Sequence, residues 1–140
     1  MPEVELSPVE VDRFVEAEYP AAYHAGIRCV DLREGYATAR WVHDPDSVRP
    51  GGLISGPSQF IVADSALWFL SFTILGLAPM AVTSDLHMTF LRPAAGGDLI
   101  AKARLLRAGR TRIVGDVSIS VEGGIEVSHA IGSYAVLEPK

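Results

Sequence analysis

Asp64 is the only charged residue between Arg49 and Asp85, in a segment that opens RPGGLISGPSQFIVAD and continues SALWFLSFTILG. A carboxylate on an apolar helix is costly unless it is paired or put to work. Placed beside an activated carbonyl, it could take a proton from water or attack the acyl carbon itself. A structural acid, hydrogen-bonded to nearby backbone or to Ser65, would account for it equally well.

Ser55-Gly56-Pro57 supplies a second group. A helix that starts here presents unsatisfied N–H groups and a partial positive charge, which suit a carbonyl or a developing oxyanion. Gly56 has an N–H that a substrate can approach closely, whereas Pro57 has none. A plain helix start after a loop would carry the same residues.

Asp64 follows Gly56 by eight residues, so the two lie roughly 12 Å apart along one helix. One carbonyl cannot touch both. If both act on a single carbon they must come from two copies of the chain, their helices meeting across a two-fold axis.

The elements that would position these groups follow from periodicity and punctuation. Ser7-Pro8-Val9-Glu10 reads as a capping box that starts a helix from about residue 8 to 19, ended by Pro20. Strand-like pieces Ala25 to Leu32 and Tyr36 to His43 form a hairpin, and two turn-rich stretches follow. A central helix is expected over about 56–76, with Ser55 as its N-cap and Pro57 in its first turn. Four strands complete the chain: Met80 to Leu91, Asp98 to Leu106, Thr111 to Val121 and Ile125 to Val136. In the third, Ile113, Gly115, Val117, Ile119 and Val121 alternate with Asp116, Ser118 and Ser120. This order implies an α+β domain, 1–140, in which a curved antiparallel sheet wraps one hydrophobic helix.

Bulk properties bound the remaining possibilities. A chain of 140 residues, 49% hydrophobic and 21% charged, can bury a core without disulfides or metal. Its net charge of -5 comes with no run of Lys or Arg, so no nucleic-acid partner is expected. Cys29, the only cysteine, reads as core filling, and the four histidines never approach ligand spacing, so no metal is expected. The acidic N-terminus lacks the order of a secretory signal, which points to the cytoplasm. The uncharged run Ser65 to Ser84 is long enough to span a bilayer, but Gly76 and Pro79 interrupt it and strand-like alternation follows, so a buried helix is expected. Gly52 to Gly56 fails the spacing of a nucleophile elbow, a dinucleotide fingerprint and a P-loop.

Three segments carry a family resemblance: Ser55-Gly56-Pro57 with IVADSALW, AVTSDLHMTFLRPAAGGDL (Ala81 to Leu99), and LLRAGRTRIVGDVSI (Leu105 to Ile119). Over Arg49 to Val136 the chain resembles the hotdog-fold thioesterases, in particular the phenylacetate-degradation (PaaI-like) branch that hydrolyses acyl-coenzyme A. The resemblance implies that Asp64 is the catalytic acid and Gly56 the oxyanion glycine. Ser55 stands where the family has a histidine that orients the thioester, and Pro57 stands where it has a second glycine. Thr83 matches a hydroxyl that assists the nucleophilic water. Phe90 and Arg92 would border the coenzyme A channel, and Arg107, Gly109 and Arg110 would meet its nucleotide and phosphates. Trp68, Phe69 and Phe72 would line the acyl pocket.

The implied activity is acyl-CoA hydrolysis, with coenzyme A as part of the substrate and no separate cofactor. The implied assembly is a homodimer, which the site requires, and a homotetramer by family likeness. Two alternatives remain open at this point. Ser55 in place of histidine suits a protein that binds acyl-CoA without turning it over. A hotdog hydratase would need a histidine shortly after Asp64, and none is there.

Overall fold

Ser7 caps the first helix as its sequence requires. The Ser7 hydroxyl accepts the Glu10 N–H at 3.2 Å while the Glu10 carboxylate accepts the Ser7 N–H at 3.3 Å, closing a capping box. In this computed structural model, which describes residues 6–77 and 80–137, α1 runs Pro8–Glu18. Pro20 does more than end it. Because proline fits the first position of a helix, the chain turns there into a second short helix, α2, Pro20–His24. The hairpin therefore starts two residues later than expected, as β1 Ile27–Arg33 and β2 Tyr36–Trp41.

After short 3-10 turns at Pro45–Ser47 and Pro50–Gly52, the central helix α3 spans Gly56–Leu75. The strands β3 Ala81–Phe90, β4 Leu99–Ala108, β5 Arg112–Val121 and β6 Glu126–Val136 follow. Pro79, one of the two interruptions read in the apolar run, and the first five residues of the acidic N-terminus lie outside the described residues.

All strand pairs are antiparallel, in the order β1-β2-β4-β5-β6-β3. The sheet curves around α3, which touches all six strands. This is the hotdog arrangement, and it explains why α3 is apolar on every side. The helix is long and apolar enough to cross a bilayer by length and composition, yet Val62, Ala66, Phe69 and Leu70 are fully buried beneath the sheet. On β5 the expected alternation is seen: Ile113, Val117 and Ile119 are buried, the last two within the core cluster that includes α3.

Two glycines set how closely the helix approaches. Gly115 and Gly132 face each other across β5 and β6. A Cβ on Gly115 would lie 2.7 Å from Leu70 Cδ2, and one on Gly132 would lie 2.6 Å from the Asp85 carbonyl oxygen and 3.1 Å from Leu67 Cδ1. The bare backbone at this pair lets the leucines of α3 rest directly on the sheet.

The two edges of the sheet differ. On β1, α1 lies alongside and the Asp12 carboxylate accepts the outward Cys29 N–H at 2.7 Å. Burial, partly offset by that bond, raises the Asp12 pKa above its ordinary value. On β3, no described element pairs with the outer edge, and Val82 and Phe90 are exposed along it.

Candidate active site

The N-terminus of α3 is ordered by Ser55, whose hydroxyl accepts the Ser58 N–H at 3.2 Å and also meets Ser58 Oγ at 3.0 Å. The Ser55 carbonyl accepts the Gln59 N–H at 3.2 Å. Pro57 has no N–H. That leaves Gly56 with the one N–H of this first turn that has no acceptor among the described residues. Ser55, which stands in place of the family's histidine and was expected both as N-cap and among the substrate-binding residues, is thus occupied as the helix cap, while the N–H of the expected oxyanion donor is available.

Two turns further along α3, Asp64 is half-buried and heavily supported. Thr83 Oγ1 donates to Asp64 Oδ1 at 2.6 Å, and Tyr134 Oη donates to the same oxygen at 2.8 Å and to the Asp64 carbonyl at 3.0 Å. Thr83 and Tyr134 are direct partners across β3 and β6, and a bulge follows Thr83 on β3. Bulges of this kind re-aim side chains beside sites. Burial above all, and the Asp64 charge after it, push the Tyr134 phenol well above its ordinary range, so it stays a neutral donor. Among the described hydrogen bonds none reaches Asp64 Oδ2, which leaves that oxygen to a water or an acyl carbon.

Three cavities run along this face of α3 and share residues. The first, 680 Å3, lies at the Gly56 end and is bordered by Arg49, Gln59, Phe90 and Arg92. An open trough of 500 Å3 follows Gly56, Phe60, Ile61 and Asp64. The third, 350 Å3, lies under Asp64 and includes Trp68, Thr83 and Tyr134. Thus Phe90 and Arg92 do gather with Gly56, and Thr83 and Trp68 gather with Asp64.

The other expected residues fall elsewhere. Phe69 and Phe72 border none of these cavities: they are 0% and 2% exposed, buried in the core, and Phe72 packs against Phe14 of α1 and against Trp68. Arg107, Gly109 and Arg110 are exposed at the β4–β5 turn and border none of these cavities. That turn is tightened by the Gly109 N–H donating to the Arg112 carbonyl at 2.8 Å. The next residue, Thr111, accepts the Val136 N–H, and Val136 pairs with Ala81. The turn therefore stands at the Asp64 end of the sheet.

Three residues of the site escape sequence reasoning. Tyr134 joins it only through the β3–β6 register, which no local pattern fixes. Arg49 reads as loop punctuation, although it borders the Gly56 cavity. Tyr19, at the end of α1, enters the Asp64 cavity because Pro20 turns the chain into α2. No group of His, Cys, Asp and Glu among the described residues is arranged to hold a metal ion.

Comparison with known proteins agrees with this geometry. The profile of the thioesterase superfamily matches residues 51–128. The chain is 31% identical to an inferred thioesterase of Silicibacter sp., whose crystal structure superposes with a TM-score of 0.85 over 97% of this chain and 95% of that one. It is 25% identical to the E. coli PaaI protein from the phenylacetic acid degradation operon, with a TM-score of 0.74 over 88% and 92% of the two chains. An inferred esterase of Saccharolobus solfataricus is 26% identical over 131 residues, covering 94% of this chain and 86% of that protein.

Proposed function

The chain belongs to the thioesterase superfamily, and from that premise we propose that it hydrolyses an acyl-CoA thioester at a site shared by two copies of the chain. The observation that carries this is the pinning of Asp64 Oδ1 by Thr83 and Tyr134, which leaves Oδ2 without a described partner on a residue that lines the open groove. Such a carboxylate is oriented for proton transfer before substrate arrives.

In the proposed reaction the thioester carbonyl accepts the Gly56 N–H of one protomer. Water attacks the carbonyl carbon and passes a proton to Asp64 Oδ2 of the other. The tetrahedral oxyanion is held by Gly56 and the positive end of α3. Collapse breaks the carbon–sulfur bond, the Asp64 proton passes to the departing thiolate, and the products are a carboxylic acid and coenzyme A.

The two-fold arrangement is supported by the fold. The β3 edge is open, whereas the β1 edge is covered, and exposed Phe60, Val82, Phe90 and Leu91 make the open side apolar. Docking two such sides would bring α3 of one copy opposite α3 of the next. Arg49 and Arg92 at the Gly56 mouth, and Arg107, Gly109 and Arg110 at the β4–β5 turn, would then receive the phosphates of coenzyme A. A tetramer would pair two such dimers.

The test is thiol release from acyl-CoAs, with subunit mixing as its second arm. Asp64→Asn and Gly56→Pro homodimers should each be nearly inactive, whereas mixing them should restore about a quarter of wild-type activity, since half the random dimers hold one intact site. No restoration from exchanged subunits would sink the shared site. At the family's histidine position stands Ser55, whose hydroxyl is engaged as a cap. Tight acyl-CoA binding with no thiol release would therefore identify a carrier or sensor instead.

A further inference from the structure

The cavity under Asp64 is completed by a segment outside the stretch that the family profile matches. Glu18 and Tyr19, at the end of α1, border it together with residues of α3, β3 and β6. Aromatic contacts hold that end of the chain in place. The Tyr19 and Trp68 rings meet edge to face with centroids 6.2 Å apart, and Phe14, one helical turn before Glu18, lies 6.0 Å from the same indole. Further back, Asp12 ties α1 to the Cys29 N–H of β1.

Glu18 does nothing for the helix that carries it. A helix C-terminus favours cations and disfavours carboxylates, yet the last turn of α1 holds Glu16 and Glu18 and no basic residue. None of the described ion pairs includes Glu18. The cavity thus has two carboxylates on its border, Glu18 and Asp64, and no Lys, Arg or His among the described residues there. Two like charges set the sign of the potential inside. The arginines of the site stand elsewhere: Arg49 and Arg92 border the Gly56 cavity, and Arg112 pairs with Asp85 at 3.7 Å.

We propose that Glu18 is a specificity-determining residue that reads the charge at the far end of the acyl group: chains ending in a carboxylate are rejected, and neutral or cationic ends are accepted. The selection rests on the acyl-CoA assignment above, with the acyl group entering the cavity beside Asp64 and coenzyme A lying toward the arginines. Desolvation disfavours a charge of either sign, whereas the Glu18 carboxylate opposes an anion and favours a cation. The sign of the response therefore identifies Glu18.

Two isosteric pairs test this: glutaryl-CoA against its terminal amide, and trimethylammonio-butyryl-CoA against the neutral chain that carries a tert-butyl group in place of the ammonium. Glu18→Gln keeps the side-chain shape and removes the charge. The glutaryl-to-amide ratio of kcat/KM should then rise roughly two- to fivefold, and the ammonium-to-tert-butyl ratio should fall by a similar factor, the size expected of a charge on a solvent-exposed wall. Both shifts should shrink as salt is raised. Lost packing or weakened folding moves both members of a pair together and leaves the ratios alone. Ratios that stay unchanged, or that move in the same direction, overturn the proposal. If no acyl-CoA releases thiol, hydrolysis itself is refuted, and calorimetry with the non-hydrolysable thioether analogues of the same four compounds decides separately. Opposite shifts of the two Kd ratios in Glu18→Gln uphold the selection, and unchanged ratios overturn it.

Discussion

Asp64 and Tyr134 are 70 residues apart in the chain and 2.8 Å apart in the fold, the phenol donating to the same carboxylate oxygen that Thr83 holds. Two donors on one oxygen fix the carboxylate plane and leave the second oxygen for chemistry. Removing one donor leaves the other in place, while removing both frees the side chain to rotate. Tyr134→Phe and Thr83→Val should each lower kcat/KM roughly tenfold. The double variant should lose more than the product of the single losses, because groups sharing a partner do not act additively. Thiol-release kinetics on the four proteins closes the cycle, and strictly multiplicative losses would show that the donors act independently.

At the other end of the groove the decisive group is a backbone N–H, which side-chain substitution normally leaves intact. Gly56→Pro deletes it, and Ser55, at φ -69° and ψ 155°, already has the extended backbone that a following proline prefers. Gly56→Ala adds a Cβ at the same place, 3.3 Å from Phe90 Cζ, but keeps the donor. The proline variant should lose about a hundredfold or more in kcat and the alanine variant far less. Equal losses would mean that crowding by Phe90, not the N–H, explains the effect.

The contrast between those two ends shows what the sequence makes legible. Ser55, Gly56, Pro57 and Asp64 lie on one helix, so capping rules and the helical rise place them relative to one another without any tertiary information. Thr83 and Tyr134 reach Asp64 from two strands whose pairing depends on register, and a bulge after Thr83 shifts that register by one. Tyr19 depends on Pro20 starting a helix as well as ending one. Phe69 and Phe72 show the converse: their type suits an acyl pocket, but Phe69 is fully buried in the core, and Phe72, one turn beyond Trp68 on the same face, is buried behind Trp68 and Phe14. The fold was readable because one uncharged helix among alternating strands admits few packings. The groove was not, because it is made where separate elements meet.

The Gly115 and Gly132 pair yields a stability prediction independent of catalysis. In Gly132→Ala the new methyl would meet the Asp85 carbonyl at 2.6 Å, and backbone oxygen cannot move aside cheaply. A loss of about 1–3 kcal/mol is expected, seen as a fall in Tm by several degrees in thermal melts. Gly109→Ala serves as the control, since its Cβ would stand 3.5 Å from the Arg112 carbonyl, an ordinary contact. Similar Tm values for the two variants would contradict the close backbone approach of β3 to β6 at Gly132.

His129 predicts how stability responds to pH. Its Nδ1 lies 2.7 Å from Glu126 Oε2 and its Nε2 lies 3.0 Å from Asp116 Oδ2, on the outer side of β5 and β6. Ser118 also donates to Glu126, and Arg104 pairs with Asp116. The Glu126 hydrogen bond first, and Asp116 after it, raise the His129 pKa above its ordinary 6.5 despite some burial. The imidazolium therefore stabilises the fold fully below pH 6.5, and that contribution disappears as pH rises through the raised value. Glu126 behaves oppositely: Ser118 and then His129 lower its pKa below 4.5, so its contribution is present above pH 4.5 and is lost as pH falls through the lowered value. Together they are strongest between pH 4.5 and 6.5. With the His129 side chain 41% exposed, solvent screening limits the effect to about 1 kcal/mol or less. The Tm of His129→Gln should fall below wild type at pH 6 and converge with it at pH 9, and curves that stay parallel over that range would remove His129 from the pH response.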